Sequence, residues 1–129
     1  MKQIETQDVF FSIEDGVLFC SCKKQIKIDL DAAKRIIEDR VAFTEGKSYP
    51  IVMDFTNLHS VSKEAREYFN APDGGLKGLL AGAFLSNSLV TTLIVNLYLK
   101  INQPILPAKF FTKKEEAITW LKSLKLSKQ

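Results

Sequence analysis

Residues 50–55 read Pro-Ile-Val-Met-Asp-Phe and decide the fold class. This short apolar run is bounded by polar residues, which is typical of a central strand covered on both faces of a sheet. A loop over 56–61 follows, and Ser62 is then a natural N-cap for a helix from Lys63 to about Asn70. A buried strand followed by a capped helix indicates an α/β protein.

Two β-rich runs, 8–13 and 17–22, precede this strand. The Asp-Gly pair at 15–16 between them favours the positive φ angles of a tight hairpin turn. Residues 29–31, Asp-Leu-Asp, cap and open a helix that extends to about residue 44. One apolar stripe predicts the buried face of this helix, formed by Ala33, Ile36, Ile37 and Val41.

Strands and helices also alternate after the central strand. The pattern predicts a buried strand over 79–85, a helix over 89–101 and a last strand over 108–111. Residues 112–115, Thr-Lys-Lys-Glu, match a capping box that opens the final helix. The chain is therefore expected to form a single α/β domain over 1–129, with a mixed sheet of about five strands packed with about four helices.

Composition excludes several classes of protein. The chain has 129 residues, 46% of them hydrophobic and 26% charged, which is typical of a globular domain with its own core. Its net charge of +3 is too small to indicate a nucleic-acid-binding protein. Cys20 and Cys22 lie on one face of a predicted strand, where two small buried hydrophobic side chains are expected.

The stretch 78–99 carries no charge and approaches the length of a membrane span. Polar side chains interrupt it at Ser86, Asn87 and Ser88 and again further on, so a strand, a turn and a helix explain it better than a transmembrane segment. The first five residues lack the apolar core of a signal peptide, which favours a cytoplasmic protein.

The outer side of the helix over 89–101 is the candidate partner interface. It presents a neutral, partly apolar strip where a surface helix of a monomer normally carries charges; its residues are Thr92, Val95, Asn96 and Leu99. This strip predicts contact with a protein partner or with a second copy of the chain. The alternative is that residues 103–107 of the same chain cover it.

Two groups of residues resemble the STAS fold of the anti-sigma-factor antagonists, and in particular its SpoIIAA-like branch. The first comprises 51–56 with 62–66 after it, and the second is 110–121, from Phe-Phe-Thr to Thr-Trp-Leu. The resemblance covers most of the chain and consists mainly of core pattern and helix caps. It implies a non-catalytic protein-interaction or regulatory module.

The resemblance does not extend to the phosphorylation switch. In antagonists controlled by a kinase, the strand ends in Asp-x-Ser/Thr and an Asp-Ser-Ser-Gly motif opens the next helix, with one Ser phosphorylated. Here Asp54 and Thr56 match the first part, but Ser62 stands in the place of the motif's Asp and Lys63 in that of its first Ser. The candidate regulatory loop therefore comprises Asp54, Thr56, Ser60 and Ser62, without an intact switch motif.

No complete catalytic, metal or cofactor site is visible. Asp54, His59, Ser60 and Ser62 lie close in sequence, but no Gly-x-Ser-x-Gly elbow exposes a nucleophile, and helix and loop capping explains them better. One His and two Cys are too few for a zinc site. The glycines within 73–78 lack the spacing of a phosphate-binding loop. We therefore expect no enzyme activity and no cofactor.

A second function follows from a loose analogy between the SpoIIAA-like branch and lipid-carrier proteins. On this interpretation the chain is a carrier or sensor of a small apolar ligand or lipid. The expected pocket lies between the helix over 89–101 and the sheet, with Phe84, Leu97 and Tyr98 in its lining.

Overall fold

The computed structural model describes residues 2–23, 25–88, 96 and 105–126. The elements in these parts, in chain order, are β1 (Lys2–Glu5), β2 (Val9–Glu14), β3 (Val17–Cys22), β4 (Ile26–Ile28), α1 (Leu30–Thr44), β5 (Tyr49–Asp54), β6 (Leu58–Val61), α2 (Lys63–Phe69), β7 (Leu79–Leu85), β8 (Ala108–Phe111) and α3 (Lys114–Ser123). Except for Asn96, the helix expected over 89–101 lies outside the described residues.

Six strands form one mixed sheet in the order β1-β2-β3-β5-β7-β8. β1, β2 and β3 pair antiparallel, whereas β5 is parallel to both of its neighbours and β8 is parallel to β7. β5, which contains most of the apolar run over 50–55, thus lies inside the sheet, as that run predicts. The register aligns Cys20, Met53, Phe84 and Phe110 in one row across four strands, so their side chains share a face.

Local signals position the hairpin and two of the helices. Asp15 and Gly16 have φ angles of 54° and 76°, which makes the predicted two-residue turn between β2 and β3. Asp29 caps α1 by accepting a hydrogen bond from the Ala32 N–H at 2.8 Å. Ser62 caps α2 in the same way. These three predictions are confirmed.

The prediction of a capping box at 112–115 is wrong. Helix α3 begins at Lys114, and Lys113 in the N-cap position makes no side-chain capping hydrogen bond. Because β8 continues to Phe111, the helix starts one residue later than the motif requires. Thr112 therefore precedes the cap position.

The number of strands also differs from the expectation. The main sheet has six strands rather than about five, since β1 is an edge strand exposed along its whole length and lacks an apolar pattern. The expected loop over 56–61 contains β6, which pairs in parallel with β4 as a separate two-stranded sheet. Three helices are described, against the four expected.

The main sheet separates two hydrophobic clusters. We call the side that packs against α1, α2 and the small β4–β6 sheet the cavity face. The opposite side, where α3 packs on β5, β7 and β8, is the α3 face. Within the described parts of the chain, no helix has both the length and the apolar character needed to cross a membrane.

Candidate functional site

A cavity of about 330 Å³ lies on the cavity face of the sheet. Its volume is at the lower end of the range of about 300–1,000 Å³ that small-molecule sites occupy. Strands of the main sheet form its floor, and residues of α1, α2, β4, β6 and the segment before β7 form its walls. The described lining is Val9, Cys20, Cys22, Ile28, Ile36, Arg40, Ile51, Met53, Phe55, Leu58, Val61, Arg66, Phe69, Asn70, Gly75, Leu76, Leu79, Phe84 and Phe110.

Three aromatic rings form one end of the lining. The ring centroid of Phe84 lies 5.7 Å from that of Phe55 and 5.0 Å from that of Phe110. All three side chains are only half-buried. They come from β7, the end of β5 and β8, and together they present an apolar aromatic surface to the cavity.

Arg40 is the one buried charged residue in the described lining. It is 3% exposed, and its Nη1 donates to the Gly75 carbonyl at 3.0 Å while Nη2 donates to the Lys77 carbonyl. Burial lowers the pKa of Arg40 to about 10, so the guanidinium remains charged at neutral pH. Sequence reasoning missed this residue. The available signal was a charge four residues after Ile36, on the apolar stripe of the helix.

A second arginine contributes to the lining from α2. Arg66 is exposed, and its Nη1 donates to the Val61 carbonyl at 2.8 Å. Asn70, at the end of the same helix, is the remaining polar residue of the described lining apart from the two thiols. Every charged side chain described at this cavity is therefore cationic.

Cys20 and Cys22 face the cavity as free thiols, which confirms that they are small buried side chains. Burial raises the pKa of Cys20 far above its usual value, and burial with the nearby Asp54 carboxylate raises the pKa of Cys22 to about 11. Both thiols stay protonated at neutral pH. They therefore lack the thiolate character of an activated nucleophile.

No described hydrogen bond joins the Asp54–Thr56 pair of the candidate regulatory loop to Ser60 or Ser62. The Asp54 carboxylate accepts hydrogen bonds from the Thr56 N–H at 2.9 Å and from its hydroxyl at 2.7 Å, which closes a local turn. Ser60 is exposed on β6, where it lies opposite Lys27 of β4. Ser62 accepts a hydrogen bond from the Ala65 N–H at 3.1 Å, as a helix cap does.

The nearby His59 does not complete a hydrolytic triad in this structure. It is exposed on β6 next to Ser60, and adjacent residues on a strand point to opposite sides. The Asp54 carboxylate is bound to Thr56 and the Ser62 hydroxyl to the backbone of α2. No described hydrogen bond links His59 to Asp54, Ser60 or Ser62, as a catalytic triad requires.

Asn96 occupies a different position from the one expected. Its side-chain amide donates to the Phe110 carbonyl and accepts from the Phe110 N–H, both at 2.8 Å. The expectation that Asn96 lies on an outward strip is thus corrected, because an amide side chain has the donor and acceptor needed to pair with an edge strand. Thr92, Val95 and Leu99 lie outside the described residues, so their part in a partner interface stays a prediction.

Of the three residues expected to line a ligand pocket, the described part of the structure places one at the cavity. Phe84 lines the cavity, whereas Leu97 and Tyr98 lie outside the described residues. The walls supplied by α1, α2 and β6 were not foreseen. These walls form through contacts between segments far apart in the chain, which local periodicity does not report.

Comparison with solved structures supports the fold. A crystal structure of an uncharacterized protein from the DUF3478 family with a SpoIIAA-like fold, from Shewanella loihica PV-4, is similar at a TM-score of 0.57 and 17% identity, over 93% of this chain and 90% of that chain. A protein of unknown function from Arthrobacter sp. FB24 is 27% identical over 88% of this chain and 99% of its own, at a TM-score of 0.34. The chain thus has a SpoIIAA-like fold, as the sequence resemblance implies.

The sequence comparisons give a family but no described activity. No curated protein matches the sequence. A family model described as "Domain of unknown function (DUF7793)" matches residues 11–125. Because this match spans most of the chain, from β2 to the end of the last helix, the protein belongs to the DUF7793 family.

Proposed function

We propose that the protein is a non-catalytic binding module, a carrier or sensor, for a small apolar ligand. The observation that carries the proposal is the cavity of about 330 Å³ with an almost wholly apolar lining. Packed protein interiors contain few voids larger than a water molecule, so a space of this size needs an explanation. A preformed apolar cavity with a few polar groups is the usual form of a small-molecule site.

The polar chemistry of the cavity supports binding rather than catalysis. Its described lining offers two guanidinium groups, one amide and two thiols that remain protonated. General acid–base catalysis at neutral pH calls for a group whose pKa lies near 7. Arg40 and Cys22, with pKa values of about 10 and about 11, are far from that range.

Equilibrium binding of a neutral fluorescent probe, N-phenyl-1-naphthylamine, tests this proposal. The unmodified protein should bind it saturably, and decanol should displace it. Met53→Trp, in the floor of the cavity, should abolish binding, because the larger ring occupies the space that the ligand needs.

A matched control changes the opposite side of the sheet. Ile118→Trp makes a similar substitution at a partly buried residue of the α3 face, and it should leave the affinity for the probe unchanged. Loss of binding in both variants, or in neither, would contradict a site in this cavity. Thermal unfolding of each variant shows whether the protein remains folded.

A second candidate function is a protein-interaction or regulatory module, and the uncharged sequence of residues 89–99 favours it. This segment carries Thr92, Val95 and Leu99 of the predicted neutral strip. We infer that this segment contacts a second copy of the chain. Light scattering after size-exclusion chromatography should show a dimer that Leu99→Glu dissociates, and a monomer with or without this change would contradict it.

A further inference from the structure

We propose that the ligand of this cavity carries an acidic head group and that the guanidinium of Arg40 binds it. This inference rests on the ligand-binding function proposed above. Arg40 belongs to α1, lines the cavity and is 3% exposed. A buried cation in an apolar cavity is costly unless an anion or several hydrogen bonds compensate it.

No carboxylate of the described residues pairs with Arg40. The ion pairs in the described parts are Lys2–Glu45, Lys23–Glu5, Arg35–Asp8 and Lys122–Asp15. Every Asp and Glu of the sequence lies in those parts, so the remaining segments contain no further acidic side chain that could pair with it. Among the described residues, the polar partners of the Arg40 guanidinium are therefore the carbonyl oxygens of Gly75 and Lys77.

Arg35, on the same helix, is an arginine that does have an acidic partner. Its Nε and Nη2 donate to the two carboxylate oxygens of Asp8 at 2.7 and 2.9 Å. Asp8 is itself buried, so this pair is a bidentate ion pair that balances its own charge. Arg40 is more deeply buried than Arg35 but has no acidic partner of this kind among the described residues. Because the free-energy cost of an unpaired charge increases with burial, Arg40 is the residue for which an anionic partner would contribute most.

An acidic head group complements what the cavity provides. A guanidinium has five N–H donors, and the two bonds to carbonyl oxygens use two of them. Carboxylate and phosphate oxygens suit such a donor set, while the apolar part of the ligand would contact the aromatic rings of Phe55, Phe84 and Phe110. The described lining contains no Asp or Glu, and Arg66 adds a second positive charge.

Binding of matched ligands to the unmodified protein tests the inference. Decanol, decanoate and decyl phosphate share one chain and differ in the head group. We expect at least one of the two acids to bind about tenfold more tightly than decanol, as charge-assisted hydrogen bonds to a buried guanidinium require. The comparison of the two acids identifies which head group the site prefers. Affinities for both acids no greater than that for decanol overturn the inference but leave the proposed function. Binding of none of the three overturns both.

Nuclear magnetic resonance then tests the assignment to Arg40 without any substitution. The Nε–H resonance of Arg40 should shift when the preferred acid binds and should shift much less with decanol. Arg40→Met should remove the preference for the acid, and Arg66→Met, at the exposed arginine, should largely retain it. If Arg40→Met does not fold, the resonance shift in the unmodified protein decides the question. A shift confined to Arg66, or a preference lost only in Arg66→Met, contradicts the assignment.

Discussion

The two faces of the main sheet differ in how completely they are packed. On the α3 face, Ala81, Ala83 and Ala117 are fully buried, and these small side chains let the helix approach the strands closely. On the cavity face, Met53 and Phe84 are larger but only half-buried, and a cavity remains beside them. Close packing stabilises a fold, whereas a retained void leaves room for a ligand. The proposed function therefore assigns ligand binding to the cavity face and predicts that truncating a buried side chain costs more stability on the α3 face.

The largest expected effect is on the α3 face. Leu121 is 2% exposed, so Leu121→Ala should lower the free energy of unfolding by about 2–5 kcal/mol. Met53→Ala, the matched change on the cavity face, should cost only about 1–2 kcal/mol because the side chain is half-buried beside an existing void. Urea denaturation followed by circular dichroism measures both. Equal losses would remove the difference between the faces.

The second largest effect is expected at alkaline pH, which should lower the free energy of unfolding through the two buried thiols of the cavity face. The unfolded thiols ionise above their ordinary pKa of 9.0, whereas burial keeps both folded thiols protonated beyond that value. Their stabilising contribution is therefore complete below pH 9.0 and is lost as the pH rises towards the folded pKa, which for Cys22 is about 11. The free energy of unfolding should fall by about 2 kcal/mol between about pH 8 and about pH 10.

Cys22→Ala provides the control for this pH dependence. It should remove roughly half of the loss between these pH values, since one of the two thiols no longer titrates. Arg40 acts in the opposite direction, because its folded pKa of about 10 is lower than its ordinary value, and it raises stability only above that pH. An unchanged slope in Cys22→Ala would contradict the assignment to the thiols.

A smaller effect is expected at the cap of α2, which forms part of the cavity wall. Ser62→Ala should cost about 1 kcal/mol, because the Ala65 N–H loses its acceptor. Ser62→Asp should restore this stability, since Asp is an equally good N-cap. Thermal unfolding of both variants checks the prediction. If Ser62→Asp is the less stable of the two, Ser62 is more than a helix cap.

The smallest change in stability is expected at Gly82, with a larger consequence for binding. A Cβ atom at this position would lie 2.8 Å from Cζ of Phe84, so Gly82→Ala must displace that ring. Because the ring is the far end of a flexible side chain, the free energy of unfolding should change by about 1 kcal/mol or less. The aromatic end of the cavity moves with the ring, and the neutral probe should bind more weakly. An unchanged affinity would show that Phe84 does not contact the ligand.

Much of the fold could be predicted because it depends on local signals. The Asp15-Gly16 turn, the caps at Asp29 and Ser62 and the central strand are encoded within a few residues and are all present. Elements without such a signal were missed. The exposed strand β1 has no apolar pattern, and β4 and β6 are short strands stabilised by pairing across the chain.

The candidate site was less accessible to sequence reasoning. Phe84 was expected to line a pocket and does line the cavity, but the walls contributed by α1 and α2 depend on tertiary packing. Arg40 could have been noticed as a charge on an apolar helix stripe, although its partners at Gly75 and Lys77 are distant in sequence. Asn96 was placed on the wrong side because helical periodicity does not distinguish a polar residue facing solvent from one bound to a strand edge.

The most direct test of ligand binding on the cavity face uses the methyl group of Met53. The chain has two methionines, Met1 and Met53, so a protein labelled with ¹³C at the methionine and leucine methyl groups gives one methionine reporter in the cavity lining and includes Leu121 as a control. On titration with decanol, the Met53 resonance should shift saturably, while the methyl groups of Leu121 on the α3 face should not move. A Met53 resonance that stays unchanged at saturating decanol, or a saturable shift at Leu121 alone, would contradict the account.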